Sequence, residues 1–154
     1  MRRRFSWIAL VMILAAAVVP LRASSVPAIQ GAVAGLEFCE QATCGAAIFA
    51  GMFNGFVDGR RAFGSIAFAV NHETPLPAPN ATKLVTGGGW KIKLLNGTTF
   101  SGIVTGGLLH NNDNGTFAVQ ANMQMLVGGS GPLTFNGTLS HNTFPPTIWG
   151  VITQ

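Results

Sequence analysis

Charge is scarce in this chain, with nine Lys or Arg and five Asp or Glu among 154 residues. Four of the basic residues, Arg2, Arg3, Arg4 and Arg22, fall at the extreme N-terminus. Beyond them Arg60, Arg61, Lys83, Lys91 and Lys93 face Glu37, Glu40, Asp58, Glu73 and Asp113, so the remainder is neutral. Nucleic-acid binding needs a concentrated basic footprint. None is present, Arg60-Arg61 reads as a solvated pair beside a turn, and no nucleic-acid partner is expected. Catalytic signatures are missing too. No G-x-S-x-G builds a nucleophile elbow around Ser101, Ser130 or Ser140. The glycine runs at 87–89 and 128–131 lack the lysine and flanking helix of a phosphate loop. A carboxylate pair such as Asp58 and Glu73 has only the scarcity of acids to recommend it. There are two cysteines, Cys39 and Cys44, at a C-x4-C spacing. That spacing lacks the tight C-x-x-C geometry that tunes a reactive thiol, so a disulfide closing a small loop is expected rather than redox chemistry.

The one long apolar run, Trp7–Val19, is 13 residues, short of the roughly 20 a membrane-spanning helix needs. It follows the three arginines and ends at Pro20, ahead of Leu21-Arg22-Ala23 and Ser24-Ser25. This is the layout of a secretory signal peptide over residues 1–23, cleaved near Ala23 or Ser25. The expected location is secreted or periplasmic, with no stable membrane span after processing. An exported chain is free to oxidise Cys39 and Cys44. About 130 residues remain, enough for one domain with its own core. The expected organisation is an N-terminal segment at 24–45 carrying the disulfide, then a β domain at 46–154.

What is present is strand and turn. Runs at 46–57, 61–70, 89–95, 98–110, 116–127, 133–141 and 147–153 are separated by Asp58-Gly59, Asn71-His72, Asn96-Gly97, NNDNG, GGSGP and NTFPP. Asn-Gly and Asp-Gly between apolar runs signal hairpins, because their central residues must reach positive φ. The period within the runs is two. Phe117, Val119, Ala121, Met123 and Met125 share one face of 116–127, and Leu133, Phe135, Gly137 and Leu139 share one face of 133–141. Trp90, Ile92 and Leu94 oppose Lys91 and Lys93. Such sheets bury one face. Short turns make consecutive strands neighbours, and mid-strand glycines permit coiling. The predicted fold is an all-β antiparallel meander of seven or eight strands closed into a barrel, with a β-sandwich as the alternative. Phe recurs beside Gly in FAG (49–51), FSG (100–102) and FNG (135–137), where a ring can cover the strip a glycine leaves bare. Residues 28–44 are predicted to hold a short helix docked by Leu36, Phe38 and Ala42. Residues 71–87 are predicted to form a loop with a short extra strand near Lys83–Val85. Four N-x-T triplets, at Asn80, Asn96, Asn114 and Asn136, are formal glycan acceptors; turn chemistry explains them more simply.

The three histidines, His72, His110 and His141, each end a strand run. In an up-and-down meander those three strands run the same way, which places all three at one end. Alternation gives His72 the parity of Phe68 and Val70, His110 that of Phe100, Val104 and Leu108, and His141 that of Phe135 and Leu139. All three are therefore predicted to face the interior. Such a rim is a candidate ligand site, with Trp90 as an aromatic wall. It is also a candidate zinc site, to which Glu73 or Asp113 could add oxygen. Without metal the imidazoles supply acid and base near neutral pH.

Three functions fit this frame. The first is an exported barrel binding a small apolar or amphiphilic molecule, or a macromolecular partner, since about eight strands enclose room for one small ligand. The second is an enzyme, an isomerase, cyclase or metal-assisted hydrolase, working at a histidine-rimmed mouth. The third is a structural, envelope-associated module, for which self-association into a homo-oligomer is natural. An open cavity lined by Phe and Leu favours the first, convergent histidines the second, and a filled interior the third. No motif ties the chain to a family.

Overall fold

The computed structural model describes residues 27–154. The expected signal peptide lies outside the described residues. Eight strands form: β1 (Ile29–Cys39), β2 (Ala47–Val57), β3 (Arg60–His72), β4 (Thr82–Leu94), β5 (Thr99–Asn111), β6 (Thr116–Val127), β7 (Gly131–Ser140) and β8 (Thr147–Thr153). A one-turn helix, α1 (Gln41–Cys44), links β1 to β2. Each strand pairs antiparallel with the next, and β8 pairs back onto β1, so the sheet is a closed barrel and not a sandwich.

The hairpins form where positive φ is available. Asp58 and Gly59 take φ values of 51° and 74° between β2 and β3, and Gly97 takes 88° between β4 and β5. The alternation expected for β4, β6 and β7 is realised: Trp90, Ile92, Leu94, Phe117, Met123, Met125, Leu133, Phe135 and Leu139 are all buried. The Phe–Gly pairing is physical at FNG. The Phe135 ring lies where a side chain on Gly137 or Gly150 would have to go, and the Phe53 ring covers Gly31 in the same way.

Two segments differ from expectation. Residues 29–39 are a full barrel strand and not part of a separate N-terminal segment, so the barrel begins at Ile29 and not at 46. Ile29, Val33 and Glu37 point inward, while Ala32, Ala34, Leu36 and Phe38 point outward. Small apolar residues on both faces hide the alternation, and closure requires this strand as the partner of both β2 and β8. The helical residues are only those bracketed by Cys39 and Cys44, which lie at disulfide distance with a Cα–Cα separation of 6.1 Å. Residues 82–94 form one continuous strand, β4, where a loop and a separate short strand were expected. The run Gly87-Gly88-Gly89 reads as a turn but lies within it. Gly88 has φ 139°, and a Cβ there would sit 2.0 Å from the carbonyl oxygen of Ala69 on β3. The glycines let two strands approach where Thr86 bulges out of the β3–β4 ladder.

The outer surface is also uneven. Gln120, Asn122 and Asn136 give β6 and β7 the polar outer face that alternation implies. Across β8, β1 and β2 the outward residues Trp149, Val151, Leu36, Phe38, Met52 and Phe56 are apolar and exposed. No helix among the described residues is long and apolar enough to cross a membrane. The interior is apolar.

Along its axis the interior has two halves. The half nearest the β2–β3 and β4–β5 turns is packed solid with Ile29, Phe53, Ile92, Met123, Met125 and Ile152, all essentially inaccessible. The other half, toward α1, is open.

Candidate functional site

The open half is a cavity of about 560 Å³. Phe68 and Phe135, with ring centroids 5.4 Å apart, bound it on the side of the packed half. Phe49, Val70, Val85, Leu109, Val119, Leu139 and Ile148 form its walls, so every strand from β2 to β8 contributes at least one apolar side chain. Ala47 and Ala121 leave the space that larger residues would fill. The volume falls within the roughly 300–1,000 Å³ typical of small-molecule sites, and a few polar groups in a largely apolar wall is the usual composition of such sites.

The polar groups are all at the mouth. Glu37 enters from β1, Glu40 and Gln41 from the α1 segment, His72 and Thr74 from the end of β3 and the loop after it, and His141 from the end of β7. Glu37 continues the inward parity of Ile29 and Val33 and is 6% exposed. His141 Nε2 lies 3.3 Å from Glu37 Oε2. Both atoms are buried, and the contact stops short of an aligned hydrogen bond. The His141 ring also packs against Phe117, with centroids 5.2 Å apart. The contact with Glu37 raises the His141 pKa above its ordinary 6.5, burial opposes this, and the negative charges of Glu37 and Glu40 add to the rise. A carboxylate facing an imidazole whose proton it helps to hold forms a pair that can keep or pass on one proton.

The α1 segment is fastened over the mouth. Gln41 grips the end of β3 from both sides of its amide: Nε2 donates to the His72 carbonyl oxygen at 2.8 Å, and the His72 N–H donates to Oε1 at 2.7 Å. Cys39 and Cys44, at disulfide distance, bring together the ends of the loop from which Gln41 reaches.

The three histidines share one end of the barrel, but only His72 and His141 line the cavity. His110 is outside. Val104 and Gly106 pair with the consecutive residues Met123 and Asn122, so Thr105 is an extra residue in β5. One extra residue reverses every later side chain. The inward set passes from Phe100 and Val104 to Leu109, and His110 turns to the outer surface, where Nδ1 lies 2.8 Å from the Thr82 hydroxyl. The three-histidine ligand set therefore does not assemble, and among the described residues no group of three or more His, Cys, Asp or Glu side chains is placed to hold a metal ion. Trp90 is buried beside Phe68 in the β3–β4 ladder and does not reach the cavity. The residue that sequence reasoning missed is Glu37. Its signal was the inward parity of Ile29 and Val33, legible only once residues 29–39 are known to be a strand.

The mouth also concentrates charge of one sign. Glu37, Glu40, Glu73 and Asp113 lie at the mouth end, and of the acids only Asp58 lies at the other. Arg60, Arg61, Lys91 and Lys93 lie in the packed half, and of the basic residues described only Lys83 stands near the mouth, its Nζ 3.4 Å from the Thr74 carbonyl oxygen.

No protein-family model, curated protein or solved structure matches this chain.

Proposed function

We propose that this protein is an exported binding module that takes a small apolar or amphiphilic molecule into the mouth half of its barrel. The observation that carries this reading is the division of the interior, packed solid at one end and open over about 560 Å³ at the other, with phenylalanine and aliphatic walls. A barrel serving only as a structural module has no use for an unfilled half, since filling it would stabilise the fold. The Cys39–Cys44 pair at disulfide distance supports a secreted or periplasmic location. The test is titration with a neutral apolar dye such as Nile red. The expected result is saturable binding by the wild type and its loss in Ala121→Phe, which fills the cavity from β6, with the near-ultraviolet circular dichroism of the buried Trp90 unchanged. Undiminished binding by Ala121→Phe would place the dye elsewhere and remove the support for this reading.

A second reading rests on the Glu37–His141 contact. An acid and a base sharing a proton inside an apolar cavity are the parts of an isomerase acting on the same kind of ligand. Turnover that disappears in both Glu37→Gln and His141→Asn while ligand binding persists would favour it over simple binding.

A further inference from the structure

We propose that the cavity selects amphiphiles whose polar end is a hydrogen-bond donor, an amine or a hydroxyl, and rejects those ending in a carboxylate. This rests on the reading of the cavity as a ligand site and names the class of ligand it takes. Three observations carry it. The most deeply buried polar side chain in the cavity wall is an acid, Glu37, and its Oε2 faces His141 without an aligned hydrogen bond. His141 Nε2 is likewise without an aligned partner, but it faces Glu37, whereas a second carboxylate brought beside Glu37 would be a like charge in a poorly solvated site and a donor would not. Next, Glu40 also lines the mouth, and among the described residues no Lys or Arg does. A proton on His141 is already matched by Glu37, so the pair offers an incoming anion no net charge. Finally, the compensating cations are remote. Lys91 lies eight residues along β4 from Lys83, or about 27 Å at the usual strand rise, against a screening length of roughly 8 Å at physiological ionic strength. The field that an approaching head group meets is therefore that of Glu37, Glu40, Glu73 and Asp113, relieved among the described Lys and Arg residues by Lys83.

The alternative is that a carboxylate head stays in water outside the mouth while its tail fills the cavity, in which case head-group charge would hardly matter. Decylamine, 1-decanol and decanoate share one tail and separate the two cases. Each is titrated below its aggregation threshold, at pH 7 and low salt, by displacement of Nile red from the full-length mature protein. Decylamine and 1-decanol are expected to bind at least about ten-fold tighter than decanoate, the scale of a single unfavourable charge contact. Glu37→Gln, which keeps the shape and removes the charge, is expected to bring decanoate to within about three-fold of 1-decanol. Glu40→Gln, at an exposed position, is expected to improve decanoate binding in the same direction, less strongly. Decanoate binding as tightly as 1-decanol to the wild type would overturn the head-group assignment and leave the cavity as a ligand site. Failure of all three compounds to bind, with Nile red unaffected by Ala121→Phe, would overturn the ligand site itself.

Discussion

Because Glu37 faces His141 at 3.3 Å in an apolar wall, the imidazole keeps its proton to higher pH than a free histidine does. The sign of the consequence follows from linkage. A histidine whose folded pKa exceeds its unfolded value stabilises the fold fully below the unfolded value, 6.5, and that contribution is lost as pH rises through the folded one. Thermal stability of the wild type relative to His141→Asn is therefore expected to be greatest below pH 6.5 and to shrink above it. In Glu37→Gln the His141 titration followed by NMR is expected to move back down toward 6.5. An unchanged midpoint would mean that Glu37 does not hold the proton. His141 was legible from the parity of Phe135 and Leu139, which runs unbroken to the strand end. Glu37 was not, because β1 has small apolar residues on both faces and a phenylalanine, Phe38, directed outward beside an inward acid.

Strand irregularities decide which of the sequence's candidates reach the site. Thr105 in β5 turns His110 out of the barrel, and Thr86 in β4 is the extra residue where Asn71 and His72 pair with Gly87 and Val85. Neither bulge has a mark that alternation alone can detect, although glycine clusters, Gly106-Gly107 and Gly87-Gly88-Gly89, adjoin both. The turns were legible for the opposite reason, since positive φ at Asp58-Gly59 and Gly97 is written in residue type. The two roles of glycine separate by mutation. Gly97 has φ 88° with open space around it, whereas Gly107 has φ 147° and a Cβ there would lie 1.9 Å from the Gln120 carbonyl oxygen. Gly97→Ala is expected to cost about 1–2 kcal/mol in urea unfolding, from backbone strain alone. Gly107→Ala is expected to cost more than about 3 kcal/mol, because strand pairing must also give way. Equal costs would show that the β5–β6 approach is not tight.

At the scale of the molecule, closure and site are separable. Eight strands paired all round hold the barrel, while the Cys39–Cys44 loop only bounds the mouth. Replacing both cysteines with serine is expected to cost about 2 kcal/mol, the chain-entropy value for so short a loop. It is also expected to weaken ligand binding more than it weakens the fold, because Gln41 and Ala42 lose their fixed place at the mouth. Retention of full affinity would show that α1 plays no part in the site. The barrel itself was legible from seven of its eight strands. Its division into a filled and an open half was not, because side-chain volume along eight separate strands becomes a cavity only once register is known. That division is also the central claim, and methyl NMR with 1-decanol tests it most directly. Addition of the ligand is expected to shift the methyl signals of Ile148, Leu139, Leu109 and Val70, which wall the cavity, and to leave those of Ile92, Ile152 and Leu133 in the packed half in place. Shifts confined to outward residues such as Leu36, Leu84 or Ile103, or no shifts at all, would contradict it.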